Sequence, residues 1–75
     1  MNIKVLGGGC KNCEALLEAT KKVVEKKGMD AEIEYITDME KIMHYGVMSL
    51  PALMVDDKLV SAGKALKAKD VEKFL

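Results

Sequence analysis

The segment that most constrains the fold is an amphipathic helix between two short strands. From residue 13 to residue 27 the apolar side chains recur with helical spacing, Glu and Lys take the other positions, and Gly28 supplies a stop. Residues 2–6 before this helix and residues 31–36 after it have the β-branched and alternating patterns of strands. Because a strand–helix–strand connection in one sheet is right-handed, the sequence predicts two parallel strands covered by the helix.

The next segment predicts a second helix and a hairpin. Thr37 or Asp38 can cap a helix that continues to about Tyr45 and stops at Gly46. Two short apolar runs, residues 52–55 and 59–61, then flank Asp56-Asp57-Lys58, which has the composition of a tight turn. A hairpin of this kind adds antiparallel strands to the parallel pair.

The chain ends in a third predicted helix, from Lys69 or Asp70 to Leu75, with Val71, Phe74 and Leu75 on its inward face. The predicted order is therefore βαβαββα. It describes an α/β fold in which three helices pack on a mixed four-stranded sheet. With 75 residues, we expect a single domain spanning residues 1–75.

Charge and hydropathy exclude several classes of partner. Twelve basic and twelve acidic residues leave no net charge, so we expect no binding of nucleic acid. The apolar start at residues 3–6 is too short for a signal peptide or for the roughly 20 residues of a membrane span. We therefore expect a cytoplasmic protein without membrane contact. We also expect a monomer.

Two cysteines, Cys10 and Cys13, lie between the first strand and the first helix. A disulfide between them closes a loop too small to constrain the unfolded chain, so its value lies in chemistry. Cys10 falls near the N-terminus of the helix, where free N–H groups, the helix dipole and Lys11 stabilise a thiolate. We expect Cys10 to be the nucleophile and Cys13, one turn further on, the resolving thiol.

A pair of cysteines with this spacing also provides half of a soft-metal site. Zinc requires further Cys or His ligands, and only His44 remains. A copper- or zinc-binding chaperone is still an alternative, because heavy-metal-associated domains place such a pair after their first strand. Those domains run βαββαβ and end in a strand, so the element order favours redox chemistry. We expect no bound metal or cofactor.

Pro51 precedes a predicted strand, where a trans proline is tolerated, and the residues alone do not indicate a cis bond. The segment at residues 45–53, YGVMSLPAL, closely resembles the stretch before the second half of the sheet in thioredoxins. With the cysteine pair, the hairpin and the last helix, this resemblance covers nearly the whole chain. The chain is similar to the short thioredoxin-like proteins of archaea and anaerobic bacteria, also called redox-active disulfide proteins.

The resemblance implies a thiol–disulfide oxidoreductase that exchanges disulfides with protein substrates and is reset by an external reductase. It implies that Pro51 is cis and packs against the disulfide, and that Leu50 pairs with substrate through its backbone. Met48 is expected at the rim of the site, and Lys11 and Asn12 between the cysteines are further expected substrate contacts. Glutathione-linked, glutaredoxin-like activity remains an alternative, although the glycine pair and acidic residue of that family are absent around residues 61–64.

The chain also departs from the thioredoxin pattern near the cysteines. Gly9 stands where tryptophan is usual, and Lys11-Asn12 where glycine-proline is usual, so a redox potential does not transfer. Lys4 occupies the position of a buried aspartate. Glu32 or Glu34 could be its partner, and we hypothesise that a Lys4–Glu34 pair tunes Cys13.

Overall fold

The computed structural model describes all residues 1–75 and contains four strands and three helices. In chain order they are β1 (Asn2–Leu6), α1 (Lys11–Lys27), β2 (Glu32–Ile36), α2 (Met39–His44), β3 (Ala52–Val55), β4 (Lys58–Ala62) and α3 (Ala68–Glu72). The order βαβαββα confirms the fold predicted from the sequence.

The four strands form one mixed sheet in the order β2-β1-β3-β4. Strands β1 and β2 are parallel, whereas β1 with β3 and β3 with β4 are antiparallel. The register of β3 and β4 shifts between Leu53 and Met54, where the ladder is irregular. Strand β1 is thus a central strand, and the chain that leaves its C-terminal end leads directly to the cysteines.

Apolar residues fill a layer on each face of the sheet. Alternate side chains of β1 point to opposite faces, because strand side chains have a period of two. One core joins the sheet to α1 and α3 and consists of Ile3, Val5, Leu16, Ala19, Val23, Leu53 and Val71. The other joins the sheet to α2 and the following segment and consists of Leu6, Ile36, Ile42, Val47, Ala52 and Met54.

The ends of helix α1 are set by local hydrogen bonds. The helix begins at Lys11, two residues before the predicted start, because Cys10 takes the N-cap position. It ends at Lys27 and is capped by Gly28, whose left-handed backbone (φ 61°) lets its N–H donate to the carbonyls of Glu25 and Val24. None of the three helices combines the length and the apolar character needed to cross a bilayer.

The hairpin and the last helix differ in detail from the prediction. Only Asp56 and Asp57 form the turn, both with left-handed φ (49° and 66°), and Lys58 already belongs to β4. Helix α3 begins at Ala68 and ends at Glu72, so Phe74 follows it and is 42% exposed. The prediction that Phe74 faces inward on the last helix is therefore wrong, and Val71 is the buried anchor of α3.

Candidate active site

Cys10 and Cys13 form a disulfide at the N-terminus of α1, with their Cα atoms 5.1 Å apart. The two residues differ sharply in exposure. Cys10 is exposed at the surface, whereas Cys13 is completely buried (0% exposed). A large disulfide partner can therefore reach the sulfur of Cys10 but not that of Cys13.

The N-terminus of α1 provides polar contacts to Cys10. Its backbone is extended (φ −76°, ψ 166°), and its Sγ accepts a hydrogen bond from the N–H of Cys13 at 3.3 Å. Its carbonyl accepts the N–H of Glu14 at 3.0 Å and so begins the helical ladder. Because free N–H groups and the dipole of a 17-residue helix meet here, negative charge on this sulfur is favoured.

The buried sulfur of Cys13 lies against the end of β1, at Gly7. The N–H of Gly7 donates to the carbonyl of Ile36 at 3.0 Å, which extends the β1–β2 pairing by one residue. A Cβ on Gly7 would lie 2.5 Å from both Cβ and Sγ of Cys13. The glycine run at residues 7–9 thus contains one position with a steric requirement. No local sequence signal identifies it, since the contact depends on how α1 packs on the sheet.

The Leu50–Pro51 segment reaches the same end of the sheet. Its peptide bond is cis, Pro51 is buried, and Leu50 is partly buried beside the second core. In the antiparallel register of β1 and β3, Leu6 faces Ala52. Gly7 follows Leu6 and Pro51 precedes Ala52, so both residues adjoin the same end of this ladder. The Leu50–Pro51 segment therefore lies beside the end of β1 against which Cys13 packs.

Gly63, directly after β4, holds this segment in place. Its N–H donates to the carbonyl of Pro51 at 2.9 Å, and its φ of +76° favours glycine. A Cβ here would also lie 3.1 Å from the Cβ of Ser49. The local sequence gives no signal for this contact, because it joins residues that are distant along the chain.

The other expected substrate contacts lie on the surface. Lys11 and Asn12, between the cysteines in the first turn of α1, are exposed. Met48, three residues before Pro51, is 98% exposed. None of the three surface concavities of the structure is lined by Cys10, Cys13 or Pro51. Cys10 thus lies on an open surface rather than in a pocket.

Lys4 does not pair with Glu34, although the two residues are neighbours in the β1–β2 register. Its Nζ lies 2.9 Å from Oδ1 of Asp57 and 5.0 Å from the ring centroid of Tyr45. The hydrogen bond to Asp57, with a further contribution from Tyr45, raises the pKa of Lys4 above its ordinary value of 10.5. The hypothesis of a Lys4–Glu34 pair is therefore wrong.

The reason for this different pairing is the location of the acceptor. Asp57 lies in the turn after Val55, at the end of the sheet where β1 begins, because Val55 faces Ile3 in the register. The cysteines follow the opposite end of β1. The ammonium of Lys4 is thus directed away from the cysteine pair, toward the hairpin, where a carboxylate and an aromatic ring both stabilise it.

Comparison with known proteins extends the similarity beyond the cysteine motif. The model of the thioredoxin domain family matches residues 1–75. A thioredoxin of Methanothermobacter thermautotrophicus is 36% identical over 75 residues, which cover 100% of this chain and 97% of the relative. A thioredoxin of Methanocaldococcus jannaschii is 36% identical over 73 residues, covering 97% of this chain and 84% of the relative. The match therefore includes every element that builds the site.

Proposed function

The chain belongs to the thioredoxin domain family and is a thiol–disulfide oxidoreductase, and on that premise we propose that Cys10 attacks and Cys13 resolves. The observation that carries this division of roles is the difference in exposure between the two sulfurs. Attack on an external disulfide requires an accessible thiolate, whereas resolution requires only a thiol close to the first sulfur.

The proposed reaction has two exchange steps. The Cys10 thiolate attacks a substrate disulfide, forms a bond to one substrate sulfur, and releases the other as a thiolate. Cys13 then loses its proton and attacks Sγ of Cys10, which breaks the mixed disulfide and releases the second substrate thiolate. The substrate disulfide gains two electrons and takes up two protons, and the cysteine pair becomes a disulfide. An external reductase returns the two electrons.

The N-terminus of α1 assists the first step. The N–H of Cys13 already donates to Sγ of Cys10, so the charged sulfur has a preformed donor. Lys11, the next residue, adds positive charge at the surface. Both features stabilise the Cys10 thiolate more than the thiol.

We propose that the substrates are protein disulfides in extended segments. The open surface around Cys10 fits a macromolecular substrate, since no concavity limits its size. Leu50 lies between α2 and β3, outside the helices and strands. Its N–H and its carbonyl form no backbone–backbone hydrogen bond. These groups are available for strand-like pairing with a substrate. The exposed side chains of Lys11, Asn12 and Met48 would contact residues that flank the substrate disulfide.

The same proposal includes the setting in which the protein works. We propose a cytoplasmic monomer that exchanges electrons with a separate reductase and does not bind nucleic acid. Supporting this, both cysteines belong to the redox pair and none is left for a structural disulfide. We also propose that the exchange needs no metal or cofactor, because each step passes electrons directly between sulfur atoms.

Alkylation of the reduced protein tests the assigned roles. With a limiting amount of iodoacetamide at neutral pH, we expect Cys10 to be modified at least about tenfold faster than Cys13, as read by peptide mass spectrometry. Equal or faster modification of Cys13 in the folded protein would contradict the proposal.

Titration of the reduced protein with zinc and copper(I) tests the alternative of a metal chaperone. The activity of the protein is followed by its reduction of the disulfides of insulin. Stoichiometric metal binding that abolishes this activity would favour a metal chaperone instead.

A further inference from the structure

We infer that Gly7 is a positioning residue that sets the redox equilibrium of the cysteine pair, by leaving the space in which the sulfur of Cys13 packs. This inference rests on the proposed function, in which the pair cycles between dithiol and disulfide. It assigns a role to a residue outside the cysteine motif and outside the cis-proline segment. It also gives the direction in which a substitution at Gly7 shifts the equilibrium.

The requirement at Gly7 is steric and not conformational. Gly7 does not have the positive φ found at Gly9, Gly28, Gly46 and Gly63. Instead, Gly7 is buried, and a Cβ there would lie 2.5 Å from Cβ and Sγ of Cys13, closer than real Cβ contacts. Its neighbour Gly8 is exposed, also lacks a positive φ, and has no atom within 4 Å of an added Cβ.

The backbone on each side of this contact is held in place. Gly7 is tied to β2 by its hydrogen bond to Ile36, and it follows Leu6, which is completely buried in the second core. Cys13 belongs to the first turn of α1, and the next turn is anchored in the first core by Leu16. A methyl group at Gly7 is therefore accommodated mainly by displacement of the Cys13 side chain.

The two redox states respond differently to this displacement. In the disulfide, Sγ of Cys13 is bonded to Sγ of Cys10 and cannot rotate away from Gly7. In the dithiol that bond is absent, and rotation about χ1 can move the sulfur to another rotamer. The clash with Cβ of Cys13 is present in both redox states, whereas the clash with Sγ penalises the disulfide more than the dithiol. By the same argument, glycine at this position favours the disulfide and makes the dithiol a stronger reductant.

Equilibration with dithiothreitol measures this effect. The protein disulfide and reduced dithiothreitol exchange to the protein dithiol and cyclic oxidised dithiothreitol, so two electrons and two protons pass from one dithiol to the other. We expect Gly7→Ala to raise the equilibrium constant for reduction of the protein about tenfold, which corresponds to a potential about 30 mV less negative. Gly8→Ala is the matched control, because it makes the same change in the unfolded chain, and we expect it to stay within about twofold of the parent.

Unfolding of both redox forms provides a second measurement. We expect Gly7→Ala to lose more stability as the disulfide than as the dithiol, and a variant that folds only under reducing conditions would agree with this. Equal equilibrium constants for the two variants would overturn the inference, as would equal stability losses, or failure to fold, in both redox forms. Faster alkylation of Cys13 in the parent protein would instead refute the proposed roles, and the comparison of Gly7→Ala with Gly8→Ala would remain valid.

Discussion

At the scale of single residues, position along the helix makes the two cysteines unequal. Cys10 is the N-cap and is exposed, whereas Cys13 is the third helical residue and is buried against Gly7. The motif and its place beside a helix could be predicted from the sequence, although the helix begins two residues earlier than predicted. The contact with Gly7 could not, because nothing near Gly7 in the sequence shows that a helix packs on it.

Lys4 leads to a prediction about the dependence of stability on pH. We expect Lys4→Met to lower the free energy of unfolding at pH 7, because it removes the contacts with Asp57 and Tyr45. Since the folded-state pKa of Lys4 is raised, its stabilising contribution is fully present below the ordinary value of 10.5 and is lost as the pH rises through the higher folded value. Urea unfolding of both proteins between pH 7 and pH 11 measures the difference.

Asp57→Asn is the matched variant for this experiment, since asparagine also tolerates the left-handed backbone of the turn. It should reproduce most of the loss at pH 7 and show no further loss when combined with Lys4→Met. Additive losses in the double variant would mean that the 2.9 Å ion pair does not stabilise the fold.

At the scale of elements, the sequence predicted the type and order of the helices and strands better than the residues at which they begin and end. The spacing of apolar residues shows that a helix lies between β1 and β2. Its first two residues, Lys11 and Asn12, are polar and do not belong to that apolar pattern. A cysteine at the N-cap is not a usual capping signal, so the early start could not be recognised. The two-residue turn at Asp56 and Asp57 depends on the pairing of β3 with β4, which is also absent from the local pattern.

The buried face of α1 leads to a prediction about stability. Leu16 is completely buried in the core shared by β1, β3 and α3. We expect Leu16→Ala to reduce the free energy of unfolding by roughly 2–5 kcal/mol, through lost burial and a residual cavity. Glu18→Ala, on the exposed side of the same helix, should change it by less than about 0.5 kcal/mol. Denaturant unfolding checks both, and similar losses would show that this helix face does not anchor the site.

At the scale of the whole molecule, topology brings distant segments to one end of the sheet. The cysteines follow the C-terminal end of β1, and Leu50-Pro51 precedes the N-terminal end of β3, the antiparallel neighbour of β1. Gly63, at the end of β4, reaches the same end through its hydrogen bond to Pro51. The order of elements was predictable from the sequence, and this convergence follows from it once the strand order is known.

The central claim is that Cys10 attacks a substrate disulfide and Cys13 resolves the intermediate. The most direct test is to trap the mixed disulfide. Reduced Cys13→Ser and Cys10→Ser variants are mixed with a protein disulfide such as insulin, quenched with acid, and analysed by non-reducing mass spectrometry. We predict that Cys13→Ser accumulates a covalent adduct through Cys10, while Cys10→Ser forms almost none. An adduct that forms equally well through Cys13, or no adduct on Cys10, would contradict the claim.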